Sequence, residues 1–378
     1  MKFMFETAIP RKVFPANNAA FRGNAAACGL FDKFVPQEKL GEEKAQNINA
    51  KGREYIWKTL SGWKSVLRPE YEKAVEMLDG SKYCANDVAA FALSLAGAAQ
   101  DYDSGHNAGL FLSALINKGT DSDYYLPIRA LEGCIHSLGR ENCKNIRIDG
   151  DVGDSLGWKM KGGSIIVNGN AGDYAGGNMR DGRILVKGNV GDNFGSSASG
   201  GLLEALGNAG HYAGGSIHRE TKIIIRGNAG LRLGGMMCSG EIIVGGNAED
   251  EGGWAMRGGR ITILGDAGRG LGEDAKDGAI IVLGDVESIR KTKARILVNG
   301  WCGFENDLYC GCGVPNYVKT EVVQGMLVLG RNPLIYLRNF PGWFERLAIR
   351  MGPAYRELVR EADPKIIAAK LETGNLDD

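Results

Sequence analysis

A chain of 378 residues is long enough for two or three units with a sizeable core. Lys plus Arg and Asp plus Glu each total 45, and this zero net charge excludes a global electrostatic attraction to nucleic acid or to an anionic membrane. Eight cysteines scattered over this length exclude a disulfide framework; with no secretory core in "MKFMFETAIPRKVF" and no run of 18 apolar residues, the expectation is a reduced, soluble, cytoplasmic protein.

Residues 1–50 are irregular and rich in Asn, Ala and Gly, which leaves an extended arm and disorder as alternatives. Residues 51–140 read as a helical domain. "REYIWKTLSGWKSVL", "PEYEKAVEMLDG", "NDVAAFALSLAGAAQ", "NAGLFLSALINKG" and "YLPIRALEGCIHSLG" each carry apolar residues near helical spacing, with polar or glycine punctuation between them.

The stretch 141–300 is built by repetition. A glycine followed by Asn or Asp stands at Gly150, Gly169, Gly188, Gly207, Gly227, Gly246, Gly265 and Gly284, with spacings of 19 and a single spacing of 20. A second glycine lies seven residues beyond each of the first seven anchors, from Gly157 to Gly272, and a third lies three beyond most of them. A short apolar triplet precedes each anchor ("IRI", "IIV", "ILV", "LEA", "III", "IIV", "ITI", "IIV"), and its period of two argues strand. Nineteen residues are too few for a strand and a crossover helix, but they suit one coil of a parallel β-helix. Eight coils at the spacing of paired strands make a rod about 38 Å long. The glycines are corners, where positive φ or close backbone approach excludes a side chain. The Asn or Asp after the anchor tolerates the left-handed region and can bond locally or along a ladder. A phosphate-binding loop is a single feature between strand and helix, so an eightfold recurrence does not read as one.

The run "GDVGDSLGWKMKGGSIIVNGNAGDYAGGNMRDGRILVKGNVGDNFG" resembles the glycine-repeat (GXGXG) β-helix shared by three groups. These are the glycine-repeat subunit of formylmethanofuran dehydrogenase, its counterpart in the bacterial formyltransferase/hydrolase complex, and the C-terminal domain of the glutamate synthase large subunit. The resemblance covers roughly 145–300. It implies a mainly β fold, a right-handed parallel β-helix of about eight 19-residue coils, with a structural role beside catalytic subunits. It supplies no catalytic, cofactor-binding or metal-binding residues. The residues before and after the coils depart from all three precedents.

The first and third members of each triplet should stack inside. The middle members should face outward as Arg147, Ile166, Leu185, Glu204, Ile224, Ile243, Thr262 and Ile281. Five of these eight are aliphatic, and a stripe of Ile166, Leu185, Ile224, Ile243 and Ile281 is more apolar surface than a monomer ordinarily exposes. Its cover is either the chain's own helical flanks or a partner, another subunit or a second copy.

Residues 301–378 read as a cap and C-terminal helices ("GWFERLAIR", "AYRELVREADPKIIAAKLETG"), because an uncapped β-helix end exposes unpaired strand groups. Cys302, Cys310 and Cys312 are close in sequence but lack the paired C-x2-C spacing of a zinc site, which leaves them weak metal candidates. The coil between Ser196 and Thr221 has one extra residue and carries His211 and His218 near Glu204 and Glu220, a weak acid–base candidate. His106 and His136 read as surface histidines. The expectation is a non-catalytic scaffold subunit resembling the glycine-repeat subunit of formylmethanofuran dehydrogenase, in a one-carbon-type complex. The alternatives are a separately encoded glutamate synthase-type domain, working with amidotransferase and FMN-binding chains, and an autonomous β-helix enzyme.

Overall fold

A computed structural model describes residues 50–64, 70–95, 101–131, 133–290 and 292–298, with the strand paths of 302–304, 321–323, 326–328 and 335–336. The N-terminal arm expected over 1–50 and the helices expected near the C-terminus lie outside the described residues.

Four helices open the described chain: α1 (Ala50–Lys64), α2 (Tyr71–Met77), α3 (Ala85–Ser94) and α4 (Tyr102–Lys118). Asp101 caps α4 by accepting the Ser104 N–H at 2.8 Å, and Ser104 Oγ accepts the Asp101 N–H in return. The helices close on an aromatic core in which Phe111 lies 5.5 Å from Trp63 and 5.8 Å from Phe91, centroid to centroid. The Trp63 indole N–H is not stranded there, because it donates to the Glu70 carbonyl at 3.0 Å.

The solenoid follows. Strands β1 (Asp123–Pro127), β2 (Asn145–Asp149), β3 (Ser164–Val167), β4 (Arg183–Val186), β5 (Leu202–Ala205), β6 (Lys222–Ile225), β7 (Glu241–Val244), β8 (Arg260–Ile263) and β9 (Ala279–Val282) pair in parallel, each with the next. After β10 (Val286–Ile289), β11 (Arg295–Val298) returns to β9. The later strands are β12 (Cys302–Phe304), which pairs with β10, and β13 (Glu321–Val323) with β14 (Met326–Val328), an antiparallel pair. β15 (Ile335–Tyr336) pairs with β11 and ends the sheet of eleven strands. The result is a right-handed parallel β-helix of about nine turns. Register is one to one, Ile165 opposite Ile184 and Val167 opposite Val186, so the inward members stack as buried aliphatic ladders. A second row of parallel bridges runs from Val152 through Ala171, Val190, Ala209, Ala229, Ala248 and Ala267 to Val286. Met160, Met179, Ile217, Met237 and Met256, ten residues past their anchors, fill the interior.

The fifth helix expected at 125–139 is not one. Its Tyr125–Pro127 belongs to β1, in register with β2, and Arg129–Leu131 is a single 3-10 turn. The solenoid therefore begins at Asp123, inside the predicted helical domain. Ile128, Leu131, Ile135 and Leu138 are spaced by three and four residues, a pattern that fits the inward positions of a coil as well as a helix face; pairing with β2 decides for the coil.

Helix α4 lies hard against this first coil. A Cβ on Gly105 would overlap the Cys134 carbonyl oxygen, and one on Gly109 the His136 carbonyl oxygen. Only glycine permits that approach. Ser113, fully buried on the same helix, donates to the Gly109 carbonyl at 2.7 Å and accepts the Gly139 N–H at 2.9 Å, tying helix to coil.

Candidate functional site

The Asn and Asp side chains of the corners, with His136 and His211, are held in ladders running along the solenoid. Asp151 Oδ1 accepts the Asn170 N–H at 2.7 Å. The pattern then repeats at 2.8 Å through Asn189, Asn208, Asn228, Asn247 and Asp266 to the N–H of Asp285. The Asn and Asp residues after the anchors thus cap the next turn; none takes a positive φ. A parallel ladder stands four residues past the anchor, where Asp154 Oδ1 accepts from Asp173 N–H, Asp173 from Asp192, and Asp192 from His211. His211 Nδ1 continues it by accepting the Leu231 N–H at 3.0 Å, and His136 Nδ1 starts it by accepting the Asp154 N–H at 2.9 Å. Both imidazoles thereby carry their neutral-form proton on Nε2.

The acid–base pairing considered for the irregular coil does not form. Glu204 belongs to the outward row of β5 and is buried, with Arg183 Nη2 at 3.1 Å and Arg226 Nη2 at 2.8 Å on its two oxygens. His211 sits in the corner ladder, with the Glu249 carboxylate 3.8 Å from its Nδ1. The extra residue is absorbed at His218–Thr221: Arg219 takes φ +57° and Thr221 Oγ1 donates to the His218 carbonyl at 2.9 Å. Strands on either side keep their register.

The outward row is not open to solvent. Leu185, Ile224, Ile243 and Ile281 are between 0 and 6 % exposed within this one chain, and Ile166 is half-buried. They belong to none of the packing that unites the inward ladders and the helical region, as strand alternation requires.

At the joint between α4 and the first coil, His106 Nδ1 lies 3.0 Å from Ser137 Oγ, and the Tyr102 ring covers both His106 and His136 at centroid distances of 6.0 and 4.3 Å. Burial, and then the neighbouring His136, hold His106 below the ordinary imidazole range. Cys302 is on β12, while Cys310 and Cys312 lie outside the described residues. Among the described residues no three His, Cys, Asp or Glu side chains are placed to hold a metal ion.

The corner itself was only half legible. The second glycine of each unit is left-handed, as at Gly176 (φ +71°) and Gly234 (φ +63°). In each turn from Gly150 to Gly246 two further residues are left-handed without being glycine, five and nine past the anchor, among them Tyr174 and Asn178, Tyr212 and Ser216, Arg232 and Met236. No residue type marks these positions. They are held by bonds between turns, as where the Tyr174 N–H donates to Asp192 and the Asn178 N–H to Ser196.

Residues 135–301 match the family model of the GXGXG motif. No curated protein matches the chain. Among the described residues no helix is long and apolar enough to cross a membrane.

Proposed function

We propose that the chain is a non-catalytic scaffold subunit of a cytoplasmic enzyme complex, of the kind that the glycine-repeat subunit represents in formylmethanofuran dehydrogenase. The observation that carries this reading is the use made of the polar side chains: along the GXGXG stretch, Asp, Asn and His serve as acceptors for the next turn, and Glu204 closes an ion-pair bridge. Groups so committed stiffen a rod and are unsuited to move protons. The partners are other protein subunits, or a second copy of the chain. Of the five aliphatic residues in the outward row, Ile166 has the most surface to offer a partner, because the others are already covered in the single chain.

The second reading, a separately encoded glutamate synthase-type domain, rests on the same match. Native mass spectrometry of the tagged protein, drawn gently from its own cells, separates the two. Co-eluting amidohydrolase, formyltransferase or molybdenum and tungsten subunits support the first. Amidotransferase and FMN-binding chains support the second, and a chain that emerges alone overturns both.

A further inference from the structure

We propose that one corner face of the solenoid binds a neutral, extended glycan chain lying along the solenoid axis. The face spans the turns that begin at Gly169, Gly188, Gly207 and Gly227, and the proposal does not depend on the scaffold reading.

Large apolar side chains are exposed together here: Tyr174, Tyr212, Leu231 and Met236. The two tyrosines occupy the same place in their turns, five residues past the anchor, and are 43 and 42 % exposed. They stand two turns apart, about 10 Å. Asn193 holds that place in the turn between, so the row reads ring, amide, ring. An extended chain of equatorially linked pyranoses advances about 5 Å per sugar, close to the spacing of one turn, and presents alternate faces. Every second sugar would then meet a ring, with an amide for the hydroxyls of the one between.

Beside this row runs a trough. Eight residues past the anchor the flanking turns carry Trp158 and Trp254, but the four turns between them carry Gly177, Ser196, Gly215 and Gly235, of which Ser196 and Gly215 are half-buried and the two outer glycines buried. Glycine is not demanded at Gly215. Its φ is not positive, and an added Cβ would meet only the Tyr212 and Gly235 carbonyl oxygens, at 3.2 and 3.7 Å. The place is open, and an indole closes each end. Trp158 packs over Gly177, and the Arg232 guanidinium lies 4.7 Å from the Trp254 ring and 5.8 Å from the Tyr212 ring.

The class of ligand follows from what the floor lacks. The N–H groups of Ser196, Gly215 and Gly235 donate within their own turns, to Asn193, Tyr212 and Arg232, each at 3.0 Å. No amide remains for a phosphate or carboxylate, nor for a peptide strand to pair with. Asn178, Ser197 and Ser216, nine residues past their anchors, are neutral, the Asp173 and Asp192 carboxylates beside the row each accept a backbone N–H of the next turn, and Arg232 is paired with Glu251. Apolar rings flanked by neutral hydrogen-bonding groups suit a ligand with apolar faces and many hydroxyls, which is a saccharide.

The test is calorimetric titration of the full chain with neutral β-linked gluco-, xylo- and N-acetylglucosamine oligosaccharides of increasing length, alongside tryptophan fluorescence. Saturable binding that strengthens until the oligosaccharide fills the trough is expected. Tyr174→Ala and Tyr212→Ala should each weaken it at least tenfold. Gly215→Trp should abolish it with the melting temperature kept, because the fold already accepts indoles at this place in two turns. Binding weaker than about 1 mM across the panel overturns the proposal. So does affinity unchanged in a folded Gly215→Trp, or a solution dimer that Gly215→Trp splits, which would give the face to a second copy.

Discussion

The helical region and the solenoid are stabilised in different ways within one chain. In residues 50–118 the stabilisation is concentrated: Trp63, Phe91 and Phe111 meet at one point, and α3 and α4 have capping boxes made of different residues. In residues 123–298 it is distributed. Each turn touches its neighbours through the same few contacts, so the total is close to a sum over turns and interfaces. A lesion in the first should act once and strongly; one in the second should depend on its place in the repeat and little on which turn carries it.

The largest effect should come from a solenoid corner. In Gly176→Val the new side chain meets the Leu203 methyl inside the core while the backbone stays left-handed. Strain and overpacking together cost roughly 4 kcal/mol, and the same change at Gly234 should cost a similar amount. Denaturant unfolding that left either variant as stable as the parent would show the corners to be misplaced. Phe111→Ala, in the concentrated core, should cost about 4 kcal/mol at most and 3 at least, and should leave the hydrogen-exchange protection of the distant turns unchanged. Protection lost along the whole solenoid would erase the distinction between the two regions.

Asn208→Ala removes one ladder acceptor at an exposed position and should cost about 1 kcal/mol. Asn189→Ala should match it, and a pair of such changes several turns apart should be additive. The joint of the two regions should respond to pH. Because His106 is held below its unfolded value of about 6.5, its contribution is fully present above that pH and fades as the pH falls through the folded value. The groups around it are Tyr102 and Asp103 on its helix and His136, Ser137 and Arg140 on the coil. Unfolding at pH 7.5 and 5.5 should show a loss of under about 1 kcal/mol, reduced in His106→Asn. An equal loss in that variant would move the titration elsewhere.

The difference between the regions also governs what was legible. The 19-residue period, the inward ladders and the left-handed glycines were readable because each turn repeats the same local demand. The helix expected at 125–139 misled because Ile128, Leu131, Ile135 and Leu138 satisfy two periods, and only β2 beside them selects the strand. The same limit hid the bridge from Glu204 to Arg183 and Arg226, whose members lie about 20 residues apart and meet only once the turns are stacked. His211 and His136 looked like surface histidines; stacking turns them into acceptors in a ladder otherwise made of aspartates.

By itself, the sequence determined the repeat and its inner face, because a solenoid turn makes its contacts with an almost identical neighbour, and a local pattern then encodes a long-range one. The tertiary structure alone decided where the coils begin, which outward residues are covered and which corner face stays bare. Those outcomes depend on elements that do not repeat: helix α4 pressed against the first coil through Gly105 and Gly109, and indoles at two turns where their neighbours have glycine or serine.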